Sequence, residues 1–317
     1  MLEKNYNVWI VSILFAFSFV YIIPWVGMRG HDFVDVKVYI LRIVYLHGGG
    51  NEAHYSGMAW LTSEPLWKYI IITLGNTFSD PRMGVYFISF LSLMLYSSFL
   101  FRRVNPLIAM LLLLNPMIID MIIAQIRIAL AFGLILMAYD LRSRWGSALL
   151  IVVAFLIHAS MPVFLGIYYI LYYLNGEIKA KKIYLVSLAL AIILALFMKY
   201  GIDTILNLIG DRHAGYEDVI KGSTLSYSLV WIIIAMILAT FALYENDEER
   251  IIIAYAITIM SFYFFASALG IFGKRYVTVT MPFIIIAIGY LPKHYKQGTY
   301  LLLFLFNTYT FKLWMTQ

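Results

Sequence analysis

The chain has no cysteine in its 317 residues. No disulfide can brace it, and no thiolate can act in it as nucleophile or metal ligand. Charge is almost as scarce. Asp, Glu, Lys and Arg together make up 13% of the residues, against about 25% in a soluble domain. So few charges cannot cover a surface that faces water. The zinc spacing HExxH, a glycine-rich phosphate loop and a Walker motif are missing as well, which argues against ATP-driven transport. No Ser-His-Asp arrangement suggests covalent catalysis. The first apolar stretch is followed by Met28-Arg29-Gly30 instead of a small-residue cleavage site, so it is expected to remain as a helix.

What the sequence does contain is apolar side chains: 63% hydrophobic and 17% aromatic residues. They fall into runs at 8–28, 84–100, 107–123, 128–141, 147–158, 163–174, 183–199, 227–244, 251–269, 277–291 and 299–313. A helix needs about 20 apolar residues to cross a bilayer. The expectation is an all-α, polytopic transmembrane helical bundle of about 10–11 spans. It forms a single integral membrane domain over residues 1–317, with longer outer-face segments at 29–82 and 202–225.

Short loops set the orientation, because cytoplasmic loops collect Lys and Arg. Arg102-Arg103, Arg142 with Arg144, Lys179 with Lys181 and Lys182, and Lys293 with Lys296 recur between runs. Placing all four clusters inside puts the N-terminus in the cytoplasm. It requires 147–174 to be a helical hairpin that turns near His158-Ala159-Ser160-Met161-Pro162. A single kinked span there would put 179–182 outside and invert the rest of the chain. Within the outer segments, Val36, Ile40, Ile43 and Val44 have helical spacing, as in a helix lying flat on the membrane. Ser63 as N-cap with Glu64-Pro65 in the first turn predicts a second helix over 66–78, too short to span.

Ionisable groups in apolar runs are costly and mark function by default. Arg127 lies deep in Met121-Ile122-Ile123-Ala124-Gln125-Ile126-Arg127-Ile128. Its fork of donors suits phosphate or carboxylate; a helix running through would also set it on one face with Asp120, as a salt bridge. Arg275 opens a later run and Arg29 closes the first. Three arginines at one level suit a diphosphate. His158, with no charged neighbour in sequence, is either a packing residue or, at a hairpin tip, a proton acceptor or a hydrogen-bond donor to phosphate. Asp32, Asp35 and Glu64 are the outer carboxylates, Asp35 reading as a solvated charge. A glycosyl transfer onto a hydroxyl needs a base, and Asp32, Glu64 and His158 are its candidates, Asp32 slightly ahead. An Arg29–Asp32 pair and a plain helix-start role for Glu64 are the structural alternatives. Tyr216 and Tyr276 are candidate sugar-stacking residues, although interfacial belts also collect tyrosine.

At these residues the chain resembles the EpsG family, a branch of the Wzy-type polysaccharide polymerases. The family pattern places an Arg and an Asp-aromatic pair after the first span, matched by Arg29 with Asp32-Phe33 and Tyr39. A Glu then begins a short helix, here Glu64-Pro65-Leu66. An Ile-Arg-Gln run, a His-x-Ser and an Arg-aromatic come later, here Ile126-Arg127, His158-Ala159-Ser160 and Arg275-Tyr276. The order and spacing cover nearly the whole chain. Ile128 stands where a Gln is usual, and Phe33 where a Tyr is usual; the first removes a polar neighbour of Arg127.

The resemblance implies a fold like that of lipid-donor glycosyltransferases of the GT-C type. It implies an enzyme of the bacterial inner membrane that joins undecaprenyl-diphosphate-linked oligosaccharide repeat units on the periplasmic or outer face. The product would be an O-antigen, capsule or exopolysaccharide. The implied partners are that lipid-linked oligosaccharide as donor and acceptor, the bilayer, and a chain-length regulator protein. No nucleic acid, cofactor or metal is expected. A lipid-linked oligosaccharide flippase, a single-transfer ligase and, more weakly, a membrane acyltransferase are the competing functions. A flippase should spread charges through both leaflets, whereas those here cluster at one level.

Overall fold

The computed structural model describes residues 2–50, 57–177, 182–208 and 225–316. Among them the regular structure is helical throughout. The chain divides into two compact units, Met1–Met161 with Asn307–Gln317, and Pro162–Phe306.

The first unit opens with α1 (Leu2–Phe17), a π-helical turn (Ser18–Ile22) and α2 (Trp25–Arg29), broken at Pro24. Next come α3 (Val34–His47), α4 (Gly57–Thr62), α5 (Pro65–Thr77), α6 (Pro81–Phe101), α7 (Pro106–Leu113), α8 (Pro116–Ala124), α9 (Ile126–Asp140) and α10 (Arg144–Ile157). Four of these helices start on a proline, whose missing N–H and fixed φ suit the first helical position. Before three of them an Asx side chain accepts a backbone N–H two residues on: Asp80 from Arg82 at 2.9 Å, Asn105 from Leu107 at 3.0 Å, and Asn115 from Met117 at 2.8 Å. Each Asx-Pro pair is therefore a helix start.

α6 is the centre of this unit: 72% of its apolar window is buried, packed by α1, α3, α5, α8 and α9. Its buried Ser89, Ser92 and Ser97 hydroxyls donate to carbonyls four residues back, at 3.2, 2.8 and 2.7 Å. These three hydroxyls are thereby paired within apolar surroundings. Gly133 of α9 lets the two helices approach, since a Cβ there would meet Leu95 at 3.1 Å. Gly133→Val is expected to force α9 off α6 and cost about 1–3 kcal/mol, read as a lower melting temperature of the purified protein. An unchanged melting temperature would show that this contact has slack.

The second unit holds α11 (Met161–Glu177, its first residue counted with the first unit), α12 (Lys182–Tyr200), α13 (Ile202–Leu208) and α14 (Leu225–Phe241). Further on are α15 (Asp247–Ala268), α16 (Lys274–Val279), α17 (Met281–Gly289) and α18 (Lys293–Met315), whose residues from Asn307 belong to the first unit. α15 is central here, with 83% of its window buried against α12, α14, α16 and α17. α12 is equally apolar yet only 22% buried. A helix that is apolar all round but largely uncovered needs lipid as its solvent. The apolar helices mark this as a membrane protein.

All eleven apolar runs fall on helices, but few of those helices reach the length of a full span. Among the described residues three helices are long and apolar enough to cross a membrane, α6, α12 and α15, or four if α7 and α8 form one broken span. The run at 107–123 is bent by 75° at Asn115-Pro116, and that at 277–291 breaks at Thr280, ahead of Pro282. Proline removes an intrahelical donor and clashes with the preceding turn, so continuous apolarity does not give continuous helix.

The two short helices expected between residues 29 and 82 are present as α3 and α5. In α3 Tyr39, Ile43 and Leu46 point inward, while Val34, Val38, Leu41, Val44 and Tyr45 stay exposed. The start of α5 differs from the expected cap. Ser63 Oγ donates back to Trp60 O at 2.7 Å, and Glu64 occupies the N-cap position without a side-chain capping bond. The break expected around His158 lies between α10 and α11.

Candidate active site

Four elements of the first unit bring Tyr39, Glu64, Arg127 and His158 into one polar network. Tyr39 lies on the inward face of α3. Arg127 is the second residue of α9, because α8 ends at Ala124 and Gln125, at φ −103° and ψ 49°, breaks the helix. His158 follows the last residue of α10 with extended backbone, its N–H closing on Ala154 O. Glu64 immediately precedes α5.

Glu64 is the hub. One carboxylate oxygen accepts from Arg127 Nη1 and the other contacts His158 Nδ1. Arg127 Nε donates to Tyr39 Oη at 3.1 Å, and the guanidinium lies 5.8 Å from the Tyr39 ring centroid. Tyr39 in turn meets Trp67 edge-on at 5.7 Å. The Glu64 side chain is 1% exposed, against 26% for Arg127 and 14% for His158. The carboxylate is thus sealed beneath a guanidinium and an imidazole that keep some access to solvent.

The backbone pays for that position. Glu64 has φ 61° and ψ 57°, the one non-glycine residue with positive φ among the described residues. Left-handed backbone costs a residue with a Cβ roughly 1–2 kcal/mol. Its two buried side-chain contacts hold it there, and outliers of this kind gather at functional sites.

Arg29 occupies a second cluster of the same unit. Its Nη1 donates to Asp120 Oδ1 at 3.4 Å, and its guanidinium lies 4.8 Å from the Phe33 ring and 5.6 Å from that of Trp314. Trp314 Nε1 donates to the same Asp120 oxygen at 3.0 Å. The expectation that Asp120 and Arg127 share one helix face is corrected, since the break at Gln125 puts them on separate helices. Asp32 is half exposed and pairs with Lys37 at 3.0 Å, the expected Arg29–Asp32 alternative being replaced by that contact.

Arg275, the second residue of α16, belongs to the second unit. Its guanidinium lies 5.6 Å from the Phe272 ring, and its Nε is buried without a partner among the described residues. Tyr276 packs against Phe262 at 4.8 Å and Phe164 at 5.2 Å, with Ala191, Ala195 and Ala266 in the same core. Tyr216 and the rest of Asp211-Arg212-His213-Ala214-Gly215-Tyr216 lie outside the described residues. Among the described residues no three His, Asp or Glu side chains stand together as metal ligands.

Sequence reasoning named Tyr39 only as part of the family pattern, without a chemical role, and did not single out Trp314. Tyr39 carried a signal, since it lies three residues after Val36 and four before Ile43 on the inward face of α3. Nothing near Trp314 in sequence points to Asp120. Chemically, the network offers an imidazole fixed by a buried carboxylate beside a guanidinium that retains an amino group, Nη2, without a partner among the described residues. That combination can accept a proton and bind an anion side by side. The sequence model of the EpsG family matches residues 7–317. Searches of curated proteins and of solved structures found no match.

Proposed function

Because this chain belongs to the EpsG family of polysaccharide polymerases, we propose that it joins undecaprenyl-diphosphate-linked oligosaccharide repeat units by inverting glycosyl transfer. The product is a surface, capsular or exopolysaccharide, and the reaction takes place at the outer face of the bacterial inner membrane. The observation that carries the chemical reading is the buried Glu64 held between Arg127 and His158.

In this reading the hydroxyl at the non-reducing end of the acceptor attacks the anomeric carbon of the donor from the face opposite the diphosphate. The C–O bond to phosphate breaks and its electron pair leaves with undecaprenyl diphosphate. Arg127 Nη2 and the open donors of Arg29 neutralise the charge that develops there. Preorganised donors in a dry site are worth several kcal/mol at this point. Arg275 keeps a diphosphate role that rests on the family pattern alone.

His158 takes the proton. Its Nδ1 faces Glu64, which fixes the ring and stabilises the imidazolium that forms, so Nε2 is the nitrogen that works on substrate. Glu64 then acts through His158, and its burial behind two partners supports that over direct contact with the acceptor. Asp32, ranked first on sequence, has an exposed Lys37 partner instead and is the weaker candidate base.

Incubating the purified protein with a lipid-linked repeat unit tests the function. A ladder of products is expected. A single added block would make the protein a ligase, and lipid crossing the bilayer without reaction would make it a flippase. Orientation is tested by reporter fusions, with Arg142 and Lys293 expected in the cytoplasm and Asn51 outside. Arg142 and Lys293 on opposite sides would overturn the topology.

A further inference from the structure

We propose that the last two turns of α18 position Arg29, with Trp314 as the positioning residue acting through Asp120. The inference rests on the reading of Arg29 as a ligand of the leaving diphosphate.

α8 carries two polar groups in an apolar helix, Asn115 at its N-cap and Asp120. The end of α18 carries Asn307 and Trp314. Asn115 Nδ2 donates to Asn307 Oδ1 at 2.6 Å, and Trp314 Nε1 donates to Asp120 Oδ1 at 3.0 Å. The two contacts run in the same sense along both helices, so the segments are parallel neighbours fixed in register. The Trp314 ring is itself held by Trp25 at 6.4 Å and Phe311 at 5.6 Å.

The manner in which Arg29 is held is informative. Its bond to Asp120 is single and, at 3.4 Å, long for a charge-assisted bond, which is about 2.7–2.9 Å. An arginine serving only as counter-ion to that carboxylate would close a two-point fork. Here the guanidinium instead lies against both Phe33 and Trp314, whose rings meet each other at 6.1 Å. Among the described residues, the bond to Asp120 engages one of the five N–H donors a guanidinium carries, and Nε is buried without a partner. The rings pack against the group, Asp120 anchors one corner, and the remaining amino donors are kept for an arriving anion. Trp314 serves both ends of this arrangement: its ring lies against the guanidinium and its N–H secures Asp120.

The test uses the full-length protein in lipid nanodiscs, with inorganic pyrophosphate as the diphosphate probe and the lipid-linked repeat unit as donor. Arg29→Ala is expected to weaken pyrophosphate binding about tenfold, the scale of one lost charge-assisted contact. Trp314→Phe keeps a ring and removes the donor to Asp120. It should weaken pyrophosphate binding and raise the donor KM by roughly threefold to tenfold, with protein yield unchanged. In the Arg29→Ala background the same substitution should have no further effect, because residues that act through one another are non-additive. Should Trp314→Phe fail to accumulate, Trp314→Leu, which removes the donor and the ring together, serves in the same cycle with an equal or larger loss expected. An unchanged affinity in the tryptophan variant, or an equal loss with and without Arg29, overturns the positioning role. An unchanged affinity in Arg29→Ala alone removes the diphosphate reading of Arg29 and the inference with it.

Discussion

Arg127→Ala should abolish polymer, lowering turnover by about a thousandfold or more. Removing one preorganised donor from a site of developing negative charge costs about 10²–10³ in rate, and Arg127 has a second task. It neutralises the buried Glu64 carboxylate, which would otherwise sit unpaired under an imidazole. Removing one partner of a buried pair destabilises by about 3–5 kcal/mol, so activity must be normalised to protein recovered from the membrane. Arg127→Lys separates the two tasks. A lysine can reach Glu64 as a point charge, but it cannot also keep the bond to Tyr39 and present an amino group outward. We expect Arg127→Lys to accumulate normally and to polymerise at no more than about a hundredth of the native rate. Full activity in Arg127→Ala would remove the diphosphate site from α9.

The second large effect concerns the proton. His158→Gln keeps a hydrogen-bonding group beside Glu64 but no base. It is expected to lower turnover by about a hundredfold or more, the scale of general base catalysis, with donor binding nearly intact. Glu64→Gln should approach the same loss, because a neutral amide neither stabilises the imidazolium nor balances Arg127. Asp32→Asn should stay within about threefold of native turnover, since an exposed pair with Lys37 contributes little. Measuring donor binding and turnover on the three purified variants decides the assignment. A dead Asp32→Asn beside an active His158→Gln would return the base to Asp32. Near-native turnover in all three would give the proton to substrate phosphate or to water.

The helices were legible because apolar runs bounded by Lys, Arg, Asx-Pro and Gly have few other ways to fold. Their continuity was not legible. Asn115-Pro116 sits inside a run that reads as one span, and only the Asn115 side chain on the Met117 N–H makes it a helix start. Gln125 is harder still, because Ala124-Gln125-Ile126 contains no proline or glycine to announce a break. That break moves Arg127 away from the helix face of Asp120. Arg127 was visible as a costly group in an apolar run, His158 as a lone imidazole at an expected turn, and Glu64 as an outer carboxylate at a helix start. Their pairing was not, since Glu64 and Arg127 are 63 residues apart and Glu64 and His158 are 94 apart. Local pattern carries composition and period, whereas partners at such separations are chosen by packing. The candidate base moved for the same reason: exposure and partner decide between Asp32 and His158, and neither is a property of local sequence.

Those separations also matter during synthesis. Glu64 leaves the ribosome well before either of its partners. At about 5–20 residues per second, the 94 residues to His158 take roughly 5–20 seconds. Through that interval the carboxylate lacks its imidazole, and for most of it its cation too, and it must remain hydrated at the membrane surface. Its twisted backbone ahead of Pro65 has no local reason to form until both arrive. A nascent chain stopped before His158 therefore presents an incompletely paired acid and arginine to the bilayer, the kind of polar exposure that membrane quality control can recognise. The network of Glu64, Arg127 and His158 can therefore close once residue 158 is made, whereas the first unit itself is complete only when Asn307–Gln317 has followed.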